Sequence, residues 1–130
     1  SKLRNSNVCM KRIAAHYIVV SDKRILKKHM IVLNVSLCVE NILPLNHETP
    51  STQFYNGIIF SLQNTPKDSI EDIIQWQTNN SGKTIYDYLS NMGAQPIKIG
   101  THLSELYVLL DIDFVSSIVT AHSSIRKVVS

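Results

Sequence analysis

The sequence predicts a mostly β chain carrying one or two helices, an α+β fold, and three observations predict it. Short runs rich in β-branched and aromatic residues, bounded by turn formers, fill residues 11–60. The hydrophobic period then changes: Ile70, Ile73, Ile74 and Gln77 fall at helical spacing, with Trp76 beside the stripe. Strand-like runs return over residues 96–130. The order strands, helix, strands predicts strands that meet in one sheet system. At 130 residues the chain is sized for one domain. Residues 1–10 read as an irregular lead, in which Met10 is an alternative start, and residues 11–130 as a single composite domain.

Each element has its own signal. "RIAAHYIVV" turns apolar and β-branched towards Val20, as a strand does. Ser21-Asp22-Lys23-Arg24 reads as a turn, Ile25-Leu26 as a short strand, and Lys27-Lys28-His29 as a second turn. Met30 to Asn41 reads as one strong strand region, ended by Pro44 and Pro50. Phe54 to Phe60 is the next strand. The helical segment, residues 65–91, opens with Thr65 as N-cap and Pro66 at the first helical position. Asp68, Glu71 and Asp72 favour the positive end of the helix dipole. This helix is predicted to end near Asn79 or Asn80, at Asn79-Asn80-Ser81-Gly82. Thr84 to Asn91 reads as a second short helix. Strands are then predicted at Pro96–Ile99 and Glu105–Asp111, with a closing hairpin of Ile118–Ala121, a His122-Ser123-Ser124 turn and Ile125–Val129.

Composition narrows the class. Apolar residues make up 44% and charged residues 18%, the balance of a soluble globular chain. No apolar run approaches the roughly 18 residues of a membrane span. The basic start is not followed by the apolar stretch of a signal peptide. The expectation is therefore a cytoplasmic protein with no membrane partner. Cys9 and Cys38 lie far apart and form no C-x-x-C, which argues against a disulfide framework. Charge is uneven: residues 1–30 hold eight Lys or Arg against Asp22 alone, and the rest hold five bases and nine acids. Such a basic end suits an acidic partner, or strand edges kept from pairing by lysines.

The search for chemistry returns little. His16, His29, His47, His102 and His122 form neither H-x-H nor H-E-x-x-H. Asp111 and Asp113 are spaced to share a strand face, where paired carboxylates do acid–base work, and equally suit a solvated strand end. Ser81-Gly82-Lys83-Thr84 echoes the close of a P-loop, yet the opening glycine of that motif is missing. Nucleic-acid binding is disfavoured, because the basic segment holds one aromatic, Tyr17, in a core-like alternation.

Taken in order, both chain halves resemble the metal-dependent amidohydrolases. Ile13-Ala14-Ala15-His16-Tyr17-Ile18, Arg24-Ile25-Leu26 and Met30-Ile31-Val32-Leu33 resemble the short strands that open that family's β-sandwich. "STQFYNGIIF" resembles the strand leading to its H-x-H motif. Thr78, Asn80, Gly82 and Ile85 occupy a stretch similar to the last barrel helix, and Ile97, Ile99, Gly100, Leu106 and Asp111 match the segment after it. Lys28-His29, Val35-Ser36 and Ser104-Glu105 stand where that family usually has Asp-Gly or Ala-Asp. The resemblance implies a composite β-sandwich like the domain flanking amidohydrolase barrels. It also implies that the (β/α)8 barrel of about 250 residues is missing between Phe60 and the helix. With it go the metal ligands that activate water, so the resemblance implies no catalytic residue, no metal and no cofactor site.

The expected function is a non-catalytic interaction or structural module. The alternatives are an accessory part of a metal-dependent hydrolase acting with a separate barrel chain, or a small basic nucleic-acid-binding protein. Without a barrel, the face of Ile70, Ile73, Ile74 and Trp76 needs cover. It is the candidate interface: it either folds back on the sheet or pairs in a homodimer or with a protein partner.

Overall fold

The computed structural model describes residues 11–45, 51–103 and 105–128. Among these residues there are six strands: β1 (Lys11–Ser21), β2 (Arg24–Leu33), β3 (Val39–Pro44), β4 (Thr52–Ser61), β5 (Leu106–Leu110) and β6 (Ser124–Lys127). Two helices follow β4: α1 (Ile70–Asn79) and α2 (Ile85–Asn91). The strands form one mixed sheet in the order β3-β2-β1-β4-β5-β6. β1 and β4 run parallel at its centre, and every other neighbour is antiparallel. Among the described residues the chain is thus mostly β with two helices, and strands from both halves share one sheet. No second packed sheet occurs among the described residues. The expected lead at residues 1–10, with Cys9 and Met10, lies outside the described residues, as do His47, Pro50, Ser104 and Val129.

Both faces of the sheet are covered. On one, Ile13, Ala15, Ile18, Ile31, Leu106 and Val108 pack with Ile97 and Leu103 from the segment between α2 and β5. That segment straps the face. Its backbone bonds in turn to the ends of β4, β1 and β3: Gln95 N–H to Ser61 O (2.7 Å), Ile97 N–H to Val20 O (2.9 Å) and Gly100 N–H to Val39 O (2.8 Å). On the other face, Ile58, Phe60, Tyr107 and Leu109 pack against Ile73 of α1 and Ile85, Tyr88 and Leu89 of α2. Gln77 of α1 clamps the backbone of Val119, donating to its carbonyl (3.0 Å) and accepting from its N–H (2.7 Å).

Several elements differ from expectation. The turn read at Lys27-Lys28-His29 is a point inside the continuous β2, where Lys28 takes a left-handed φ of 55°. Met30–Asn41 is two strands, because Asn34 closes a loop there. Its Oδ1 accepts from Ser36 N–H (2.9 Å) and Cys38 N–H (3.0 Å), a side-chain turn that outcompetes strand continuation. α1 starts four residues later than Thr65 predicts. Ser69 is its N-cap, in a capping box with Asp72. Asp68, which would serve the same role for Thr65, instead accepts from the Tyr88 hydroxyl. Pro96–Ile99 is the strap rather than a strand. The closing hairpin pairs β5 with β6, not Ile118–Ala121 with Ile125–Val129. The intervening residues turn at 114–117, closed by Asp113 and Ile118.

Gly57 fixes the approach of β5 to β4. A Cβ there would lie 1.9 Å from Leu109 O. Gly57→Ala is expected to cost about 3 kcal/mol, since this overpacking meets backbone rather than a yielding side chain. Urea unfolding monitored by circular dichroism measures it. Ser69→Ala, which removes the N-cap of α1, is expected to cost about 1 kcal/mol in the same experiment.

Candidate binding surface on the sheet

The helix face singled out from the sequence is occupied by the chain itself. Ile73 is fully buried, and Ile70, Ile74 and Trp76 pack, partly buried, against the same core. The Trp76 ring sits edge-on to Tyr88, centroids 5.3 Å apart. Of the two ways to cover that face, the sheet provides one.

The candidate chemical groups disperse. β5 ends before Asp111, which takes a φ of 56° and accepts from Asn56 Nδ2 at 3.4 Å. Asp113 accepts from Val115 N–H (2.9 Å) and Ser116 N–H (3.3 Å), so it forms a turn rather than a carboxylate pair. Thr84 is the N-cap of α2, and its N–H donates to Asp87 Oδ2 at 2.8 Å. A carboxylate thus occupies the position where a P-loop would place phosphate. Among the described residues no three of His, Cys, Asp and Glu come together in a way that could hold a metal ion. Cys38 is a free, half-buried thiol.

What the fold does assemble is aromatic. Ile13 and Ala15 share a core with Ile18 and Val20, so the inward alternation of β1 slips by one residue between them. The pairing of β1 with β4 shifts register at the same place. Such a bulge turns two successive side chains to one side. His16 and Tyr17 both meet the Phe114 ring, at 5.0 and 5.5 Å between centroids. His16 also meets Phe54 at 5.1 Å, and Tyr17 meets Tyr86 of α2 at 6.1 Å. Four elements therefore contribute to one cluster on the helix-bearing side of the sheet. Its rim is open: Phe54 is 46% exposed and Val115, beside Phe114, is 97% exposed.

Charge surrounds the cluster. Lys27 is the cross-strand partner of Tyr17 and so shares its face. Among the described residues the one ion pair is Lys127 with Glu105, at 3.3 Å. The cations of β1 and β2 therefore have no carboxylate partner among those residues. Sequence reasoning took Tyr17 for a core-facing residue and did not foresee the cluster, because Phe54, Tyr86 and Phe114 come from distant parts of the chain. The hint was the consecutive pair His16-Tyr17 interrupting the apolar run from Ile13 to Val20.

No family model matches this chain, and no curated protein or solved structure matches it.

Burial, and secondly the neighbouring Tyr17, pushes the Tyr86 phenol up to about 12. Its proton is held more tightly folded than unfolded, where tyrosine titrates near 10. The stability linked to it is complete below about pH 10 and falls as pH rises towards about 12. Tyr88 and Tyr107 are raised as well, by burial and by their carboxylate partners Asp68 and Glu105. Tyr86→Phe is therefore expected to shallow the alkaline loss of stability without abolishing it, read by circular dichroism alongside tyrosinate absorbance. An unchanged slope would place Tyr86 outside the cluster's electrostatics.

Proposed function

We propose that this chain is a non-catalytic interaction module with the composite build of the domain that flanks amidohydrolase barrels. The observation that supports this reading is the placing of the two chain halves. β1 to β4 and β5 to β6 lie side by side in one sheet, and β4 reaches α1 through residues 62–69 alone. A barrel inserted between β4 and α1 would leave that sheet unchanged, as would its loss. The sandwich itself, and descent from that family, belong to this proposal.

The working surface is the aromatic cluster. Phe54 and Val115 supply an apolar centre, and Lys27 lies on the rim. Aromatic residues with exposed edges are favoured at the centres of protein interfaces. The occupant is a protein, and a second copy of this chain is the simplest case. Native mass spectrometry of the full chain after incubation with zinc tests both parts. The expected result is a metal-free two-chain mass that reverts to one chain in Phe54→Ser. A single-chain mass at every concentration would remove self-association. One zinc ion per chain would overturn the non-catalytic reading.

A further inference from the structure

The opposite face of the β1–β2 hairpin carries a second feature, independent of the aromatic cluster. A groove of about 690 Å³ runs between β2, the open half of β3 and the strap. Leu26 pairs with the buried Ile18, and His29 with Ala15, so both point to the strapped face. Leu26 and Ile42 form an apolar floor, packed on the core beneath. Ile99 of the strap also lines the groove and is 66% exposed. Arg24 and Lys98 also line the groove. Both belong to the end of the groove where the strap bonds to the last residues of β1 (Ile97 N–H to Val20 O, 2.9 Å), with Arg24 paired to Ser21 there. His29 stands five residues further along β2, about 16 Å away at strand rise.

The groove is therefore polarised along its length. One end presents two cations, neither in an ion pair among the described residues. The middle is apolar, and an isoleucine as exposed as Ile99 gains by being covered. A ligand that satisfies both parts has an anionic head and an apolar body. We propose that this groove binds a small amphipathic carboxylate, with the head at Arg24 and Lys98 and an unbranched apolar chain along Leu26 towards Ile42.

Titration calorimetry with decanoate below its micellar concentration tests this, using decanol as the uncharged body and acetate as the bodiless anion. Decanoate is expected to bind one to a chain, and both controls at least about tenfold more weakly. Arg24→Gln with Lys98→Gln is expected to weaken decanoate by about tenfold or more, as the loss of charge-assisted hydrogen bonds predicts. Both residues are exposed, so the fold should be kept, and circular dichroism checks it. Ile99→Ser is expected to weaken decanoate and leave acetate unchanged. Phe54→Ser should leave decanoate binding intact, which separates this site from the aromatic surface. Equal binding of decanoate and decanol, indifference to the paired glutamine substitutions, or no binding of decanoate would each overturn the proposal.

Discussion

The parallel seam between β1 and β4 is the constraint on which the rest of the molecule depends. A parallel pair cannot be joined by a tight turn, so the chain must complete β2 and β3 before β4 returns beside β1. That return places β1 at the sheet's interior, with β2 on one side and β4 on the other. Ala14, Ala15 and Ile18 are accordingly buried completely. It also sets the opposite side of β4 free for β5, and Gly57 lets the two backbones close up there. Within the sheet, the second half of the chain thus joins the first through β4 alone.

The seam is irregular, and the irregularity shapes the surface. β1 slips its alternation at His16-Tyr17, in the same region where β2 carries a left-handed Lys28 and β4 changes register. A regular strand would send one of those two side chains into the strapped core. The bulge instead turns both to the helix-bearing side, where Phe54, Phe114 and Tyr86 meet them. The opposite face keeps a floor of small and branched residues, on which the strap lies. The two faces of one hairpin are consequently distinct in chemistry, aromatic on one side and a cation-capped apolar groove on the other.

Electrostatics play a small part in holding this fold together. Glu105 is the carboxylate of the one ion pair among the described residues, and the Tyr107 hydroxyl and Lys127 hold it below its ordinary range. Among the described residues the cations of the first two strands form no ion pair. Stability comes from two apolar layers, from the backbone bonds of the strap to the sheet and from the side-chain clamp of Gln77 on Val119.

How much of this was legible follows from the range of the forces involved. Class, element order and most strands could be read, because hydrophobic period is a local property: β1, β4, β5 and α2 lie close to where their patterns put them. The start of α1 was written twice, as Thr65 with Asp68 and as Ser69 with Asp72, and only the bond from Tyr88 to Asp68 decided between them. The break at Asn34 was hidden inside an apolar run, since a side-chain turn leaves no gap in hydropathy, and the left-handed Lys28 lies within a strand whose pairing with β1 is unbroken there. Strand partners, the strap and both candidate surfaces were beyond the sequence. The aromatic cluster joins residues up to 98 positions apart, from His16 to Phe114, and the groove joins Arg24 to Lys98. Local pattern determines what each segment becomes; which segments then share a face is set by packing, and for this protein that is where the candidate functions lie.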